Sequence, residues 1–142
     1  MVTRSDRFTV NTKQRERYSD FARNFDQNPV TGFLAKVTNE HAVEQSMYNL
    51  IMTNKGECPF ESSLGSTLRS SLFDLNDERN RQTIENSIKE AIQLHEPRVD
   101  LDSVILTVPD NEPNSVYVSI RYSLVNIADE DFVFEFVVTR VR

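Results

Sequence analysis

The sequence contains few of the residues on which common catalytic and binding motifs depend. Its three glycines, at positions 32, 56 and 65, are too far apart to form a Gly-rich phosphate-binding loop. The lone cysteine, Cys58, excludes an intramolecular disulfide and a zinc site made of four thiolates. No apolar run approaches the ~20 residues that a membrane-spanning helix needs. These absences favour a domain made in a reducing compartment, without a cofactor, a structural metal or a membrane anchor.

Charge is distributed unevenly along the chain. The 142 residues have a net charge of −6, but residues 1–24 contain six Lys or Arg against three Asp or Glu. That stretch is therefore +3 and the remainder −9. Nucleic-acid-binding domains need clustered Lys and Arg, so an acidic body argues against one. We interpret residues 1–25 as a basic N-terminal arm that orders on a partner or touches phosphate, and residues 26–142 as the folded domain. The charged residues within positions 1–7 are not followed by an apolar stretch, so no secretory signal is expected.

A first amphipathic helix is predicted near residue 40. Its apolar residues recur at helical spacing: Ala42, Val43, Met47, Leu50 and Ile51. The side chain of Thr38 or Asn39 is expected to cap its start, and Lys55-Gly56 to end it. Leu68 and its apolar neighbours predict a further short helix over residues 66–74.

The second helix is longer and ends at a proline. Asn76 or Asp77 is predicted to cap it, and the helix must end near Glu96 because Pro97 disfavours the helical conformation in the residue before it. Its predicted inner face is Ile84, Ile88, Ala91, Ile92 and His95. Glu85 falls away from that face, four residues before Lys89.

The last third of the chain predicts strands. Residues 101–108 are rich in β-branched side chains. In residues 116–124 and 132–139 every second residue is apolar, and the residues between them belong to the opposite face of the strand. Short connections between them favour an antiparallel meander. A short edge strand is predicted over residues 33–37. The fold class is therefore α+β: a single domain with an antiparallel or mixed sheet, covered by two or three helices.

A search for catalytic chemistry identifies no candidate. His41 and His95 have no metal-ligand partners at motif spacing, and nothing near Cys58 suggests a nucleophile. A pair of carboxylates suited to acid–base catalysis is not a specific signal here, because some pair among 22 acidic residues will always qualify. No catalytic, cofactor-binding or metal-binding residue is therefore predicted.

Three blocks of sequence carry a resemblance to a known family. They are Asn-Pro-Val-Thr-Gly at residues 28–32, the stretch 49–60 with its Thr-x-x-Gly-Glu turn, and Glu-Pro-Arg at residues 96–98. In this order, over residues 26–140, the chain resembles the baseplate wedge and sheath-initiator family of contractile-tailed phages, which has relatives in type VI secretion baseplates. It departs from the family pattern at Cys58, where a basic residue is common, and at Phe33, where an acidic one is common.

The resemblance implies that Glu96, Pro97 and Arg98 dock on the core of the baseplate wedge. The proline fixes the two charged side chains in one mutual orientation. Removing one member of a pair buried at an interface would cost roughly 3–5 kcal/mol. From the residues alone, an exposed surface pair worth less than about 1 kcal/mol is the alternative.

The resemblance also implies that the sheet offers a strand to the first ring of sheath subunits. Edge strands carry unpaired N–H and C=O groups that a partner strand can satisfy. Residues 131–142 are the best candidate edge, with Phe134, Phe136 and Val138 as partner-binding residues. The alternative is that this strand is wholly internal to the sheet.

The expected role is structural and not enzymatic, in the baseplate of a virion assembled in the host cytoplasm, with six copies per baseplate. Expected partners are other wedge subunits, the tail sheath protein and, through the basic arm, the tail tube or hub. No nucleic acid, membrane or small-molecule substrate is expected. Two alternatives stay open: a lysozyme-like glycoside hydrolase of the tail, because the family has often carried that label, and an adaptor whose arm binds another partner. A hydrolase would need a cleft with one carboxyl kept protonated by burial.

Overall fold

The computed structural model describes residues 17–72, 77–112, 114–125 and 130–139. The helices and strands in these ranges are β1 (Ser19–Phe21), β2 (Lys36–Thr38), α1 (Glu40–Met52), α2 (Glu78–His95), β3 (Val99–Thr107), β4 (Ser115–Leu124) and β5 (Asp131–Thr139). Helices together with antiparallel strands confirm the predicted α+β class. Residues 1–16, most of the predicted basic arm, lie outside the described ranges.

The helix α1 buries the apolar stripe that its spacing predicts. All five predicted core residues of α1 are less than a tenth exposed. Asn39 occupies the N-cap position, but the expected side-chain cap is wrong, because its side chain makes no capping hydrogen bond. Asn39 instead adopts a φ of +52°, which Asn tolerates better than most residues, and its Oδ1 accepts a hydrogen bond from the Arg17 N–H at 3.0 Å. It thereby joins residue 17 to the start of α1.

The helix α2 begins and ends as predicted. The Asp77 side chain accepts a hydrogen bond from the Arg79 N–H, which satisfies one of the free donors of the first turn. His95 is the last helical residue, and Glu96 leaves the helix with φ −125° and ψ 75°. The inner face of α2 is buried at Ile84, Ile88, Ala91 and Ile92.

The connection after α1 differs from the prediction. The helix ends at Met52, three residues before Lys55. Residues 67–71 form turns where a short helix was predicted over residues 66–74, of which residues 73 and 74 lie outside the described ranges. The cause is Ser66, whose Oγ donates to the carbonyl of Ile51 at 2.6 Å and whose N–H donates to the carbonyl of Thr53 at 2.9 Å. These bonds fold residues 53–66 back against the end of α1. The local sequence does not reveal them, because they join residues up to fifteen positions apart.

The strands β3, β4 and β5 form the predicted antiparallel meander, in that order. Val104 pairs with Ile120, and Ile120 pairs with Phe134, so these three side chains form one row across the sheet. An irregularity interrupts the β3–β4 register between Leu101 and Ser103. Val118, Ile120 and the fully buried Tyr122 pack with the helices on the inner face of the sheet, and the helices cover that face alone.

The strand predicted over residues 33–37 is displaced. It forms β2 at Lys36–Thr38 and pairs with β1 at Ser19–Phe21 in a separate two-stranded sheet. Part of the segment assigned to the arm therefore lies against α1. The turn predicted at residues 28–32 is present: the Asn28 Oδ1 accepts hydrogen bonds from the Val30 and Thr31 N–H groups.

Gly65 provides a test of the 53–66 connection. It has φ +108°, and an added Cβ would lie 2.4 Å from the backbone oxygen of Thr53. Gly56 also has a positive φ, +85°, but open space around it. Gly56→Ala is expected to lower the free energy of unfolding by about 1–2 kcal/mol through its backbone conformation. Gly65→Ala should lower it clearly more in urea unfolding, and equal losses would contradict the close contact.

Candidate functional site

The corner between α2 and β3 contains a buried carboxylate. Only 3% of the Glu96 side chain is exposed. Its Oε2 accepts hydrogen bonds from the Ser46 Oγ at 2.7 Å and from the Arg98 guanidinium at 2.6 Å, and its Oε1 accepts a second bond from Arg98. Glu96 is therefore an internal group that joins α1 to the corner.

The surroundings of Glu96 favour its charged form. Burial by itself raises the pKa of this carboxyl, but the hydrogen bonds from Arg98 and Ser46 and the positive charge of Arg98 hold it below its ordinary value. The hydrogen bond to Glu96 likewise raises the pKa of Arg98. The corner is thus a compensated ion pair within one chain.

The outward part of the corner is Pro97 together with one side of Arg98. Pro97 is exposed, and 33% of the Arg98 side chain is accessible. The Arg98 guanidinium also lies 5.6 Å from the centre of the Tyr18 ring, just before β1. The sequence left two alternatives for Glu96 and Arg98, a pair buried at an interface or an exposed surface pair. Glu96 fits neither, because it is buried within its own chain. A partner could reach Pro97 and Arg98 directly.

The two edges of the three-stranded sheet are unequal. At the β3 edge, the Glu85 carboxylate of α2 accepts the Leu106 N–H at 3.1 Å. Glu85 therefore points at the sheet and not outward as its sequence position predicted. Among the described residues, β5 has β4 as its only strand neighbour. Within these ranges it is an edge strand, whereas the alternative was a strand wholly internal to the sheet.

The predicted partner-binding residues of β5 lie on its inner face. Phe134 and Phe136 are half-buried and Val138 is buried. The outer face presents Val133 and Val137, whose side chains are 52% and 46% exposed. Sequence alternation thus assigned the inner face of β5 correctly, but a partner along this edge would contact both faces.

No constellation typical of a catalytic centre is apparent in the described part of the chain. Within those ranges, no three His, Cys, Asp or Glu side chains are placed to hold a metal ion. The two carboxyls with resolved shifts, Glu90 and Glu96, both have lowered pKa values, caused at Glu90 by the hydrogen bond from Lys55. A general acid needs the opposite shift.

The chain can now be compared with known proteins. The sequence model of a family described as "Baseplate wedge protein gp25" matches residues 37–128, which is more than half of the chain. This chain belongs to the gp25 baseplate wedge family. The match includes α1, α2, β3, β4 and the Glu96 corner, and it ends before β5.

Individual members and structures agree with this assignment. Baseplate wedge protein gp25 of Enterobacteria phage T4 is 29% identical over 89 residues, which cover 63% of this chain and 67% of the phage protein. A chain in the cryo-EM structure of the anti-feeding prophage baseplate is 30% identical, with a TM-score of 0.66, covering 79% of this chain and 89% of that one. A Geobacter sulfurreducens protein named a putative tail lysozyme shares the fold, with a TM-score of 0.63 at 22% identity over 72% of this chain and 92% of that one.

Membership in the gp25 family makes this chain a structural component of a phage-type contractile baseplate, located in the virion. In the described ranges, neither helix has the length and apolar character needed to cross a membrane.

Sequence reasoning missed Ser46 and Glu85, the two side chains that organise this site. Ser46 is 50 residues from Glu96 and Glu85 is 21 residues from Leu106. A polar residue on a helix gives no local signal that its partner is a distant backbone or carboxylate group. Both contacts depend on how α1 and α2 are oriented when they pack against the rest of the fold.

Glu96→Gln tests the compensated pair. At neutral pH it is expected to lower the free energy of unfolding by about 1–3 kcal/mol, because hydrogen bonds to a charged group are lost. The folded-state pKa of Glu96 is lowered, so its contribution is present above the unfolded-state value of about 4.3 and is lost as pH falls through the folded-state value. Urea unfolding as a function of pH should therefore show the two proteins converging in acid.

Glu90→Gln is the matched control, since Glu90 pairs with Lys55 on the surface. It should affect unfolding far less than Glu96→Gln. A wild-type advantage that persists unchanged at low pH would contradict the role of the charged Glu96.

Proposed function

We propose that this subunit docks on the wedge core through the outward side of the Glu96–Pro97–Arg98 corner and templates the first ring of tail sheath through β5. The observation that carries the proposal is the inequality of the sheet edges. Within the described ranges both β3 and β5 have β4 as their one strand neighbour, but at the β3 edge the Leu106 N–H is already bonded to Glu85 of α2.

The open edge suits strand addition. β5 pairs with β4 over nine residues, from Asp131 to Thr139, which keeps it extended. Alternate N–H and C=O groups of such a strand face away from its neighbour and are available to a further strand. A sheath segment that pairs there would extend the three-stranded sheet to four.

The corner suits docking because it is rigid and asymmetric. Pro97 fixes the backbone, and Glu96 holds the Arg98 guanidinium from the inside by two hydrogen bonds. The exposed third of Arg98 is then presented in one orientation. A partner carboxylate or backbone carbonyl could bind it without first ordering a flexible side chain.

A structural and non-enzymatic role fits the charge states better than the hydrolase alternative. Glu96, the most buried carboxyl described, is held charged by Arg98, whereas a glycosidase acid must be held neutral. The likeness to the Geobacter protein concerns the fold and carries no activity to this chain.

The proposed partners are neighbouring wedge subunits at the corner and the sheath protein at β5, with the basic arm contacting the tail tube or hub. The related anti-feeding prophage baseplate was solved with six-fold symmetry, which supports six copies per baseplate. Nucleic acid, membranes and small-molecule substrates have no role in this proposal.

Amide hydrogen exchange tests the role of β5. Alternate amides of residues 131–139 should exchange quickly in the isolated protein, because they face the open edge. Adding the cognate sheath protein should protect those amides, while the Leu106 amide, already bonded to Glu85, should not change. Protection that develops along β3, or nowhere in the sheet, would contradict strand addition at β5.

Arg98→Gln and Ser46→Ala together test the corner. Both remove hydrogen bonds to Glu96. Ser46→Ala should lower the free energy of unfolding by about 1–2 kcal/mol, and Arg98→Gln should lower it more, because it leaves the buried carboxylate without its cation. Only Arg98→Gln removes an outward group, so it should weaken binding to the cognate wedge subunits by about tenfold or more in titration calorimetry. Ser46→Ala should bind like wild type. Equal loss of binding in both variants would show that the corner acts through folding alone.

A further inference from the structure

A shallow concavity of 520 Å³ lies beside the last turns of α1. Its walls come from α1, from the segment after β1 and from the connection after α1: Arg23, Tyr48, Asn49, Met52, Thr53, Glu57 and Arg69. Neither the Glu96 corner nor the hydrogen-bonding edge of β5 includes these residues.

Arg23 is fixed in this concavity by α1. The Gln45 Oε1 accepts the Arg23 N–H at 2.8 Å, and the Gln45 Nε2 donates to the Phe21 carbonyl at 2.8 Å. These reciprocal bonds hold the end of β1 against the helix. They place the Arg23 guanidinium 4.3 Å from the centre of the Tyr48 ring. Arg23 thus belongs to the folded surface, although its charge was counted with the basic arm.

Tyr48 connects Arg23 to β5. Its ring meets the Phe136 ring edge-on, with 5.2 Å between the ring centres. Phe136 in turn lies 5.2 Å from Phe134 on the same face of the strand. The cation therefore lies one aromatic ring away from the inner row of β5.

A strand added to β5 would bring its own side chains to this place. Neighbouring strands lie about 4.8 Å apart and alternate residues point to the same face. Every second residue of the added strand would project beside Phe134 and Phe136, on the helix side of the sheet, which is the side on which Tyr48 meets Phe136. That side is apolar near the phenylalanines and cationic at Arg23.

Charge in the concavity favours an anion. Arg23 and Arg69 both line it, and Arg69 lies beside the carbonyl of Met52 at 3.5 Å. The acidic residue among the lining residues is Glu57, whose Oε2 already accepts the Asn54 N–H at 3.0 Å. The concavity thus contains two guanidinium groups, those of Arg23 and Arg69, and one carboxylate that already accepts a hydrogen bond.

We propose that the strand that pairs with β5 carries an acidic side chain among apolar ones on its helix-facing side, and that Arg23 binds this side chain and so selects the strand and its register. The inference rests on the proposed strand addition at β5. It deepens that proposal by naming the chemistry of the partner segment.

Two synthetic peptides as long as β5 test the inference. Both alternate Val and Thr, and one central Val is replaced by Glu in the first peptide and by Lys in the second. Binding to the ¹⁵N-labelled protein is followed through the amide resonances of β5. The Glu peptide should bind about fivefold or more tightly than the Lys peptide at low salt, because one peptide gains an ion pair and the other suffers repulsion.

Arg23→Glu should reverse this preference. Its backbone N–H still bonds Gln45, so the fold should persist, which a thermal melt verifies. Arg121→Glu is the matched control, because it makes the same charge change on an exposed residue of β4. Arg121→Glu should leave the preference for the Glu peptide in place.

The outcomes separate the two proposals. Equal binding of both peptides at β5, or a preference that Arg23→Glu does not change, overturns the role of Arg23 and leaves strand addition intact. Absence of any β5 response to either peptide contradicts strand addition itself. A reversal produced equally by Arg121→Glu would assign the effect to net charge and overturn the inference.

Discussion

The arrangement of this domain depends on one buried carboxylate at a proline corner. Glu96 receives hydrogen bonds from Ser46 of α1 and from Arg98 just before β3, and Arg98 in turn lies against Tyr18. Both helices and the start of the meander therefore meet at the Glu96–Arg98 ion pair, and Tyr18, just before β1, lies against its cation. A buried charge without partners would be strongly unfavourable, so these elements can pack only in the arrangement that supplies the donors. The same arrangement leaves Pro97 and one side of Arg98 at the surface.

The position of the helices also makes the two edges of the sheet different. α2 lies against β3 and bonds its edge through Glu85, while Tyr48 of α1 reaches Phe136 of β5 from the inner side. Within the described ranges, one edge of the sheet is thus bonded to a helix at Leu106, and the other has no strand beyond β5. Membership in the gp25 baseplate wedge family gives this asymmetry a context, since a baseplate component interacts with other baseplate subunits.

Much of this architecture could be predicted from the sequence. Helical spacing identified the buried faces of α1 and α2, and Pro97 located the end of α2. β-Branched composition identified β3, and alternation identified β4 and β5 together with their inner face. These features succeed because each depends on neighbours a few residues apart. The failures share the opposite cause. The end of α1 at Met52 and the role of Asn39 depend on Ser66 and Arg17, which are distant in sequence. The carboxylate contacts of Ser46 and Glu85 likewise follow from how whole elements pack.

The central position of Glu135 in β5 has a consequence for the subunit before it is incorporated. Glu135 is the midpoint of Asp131–Thr139, and it lies on the outer face, where the Ser119 Oγ donates to it at 3.1 Å. If two free copies paired through β5 in antiparallel fashion, with full overlap, each Glu135 would lie directly opposite the other. Like charges at facing positions destabilise such a pair. An edge that remains available to a different strand is therefore poorly suited to dimerisation, which would help to keep the free subunit monomeric and soluble.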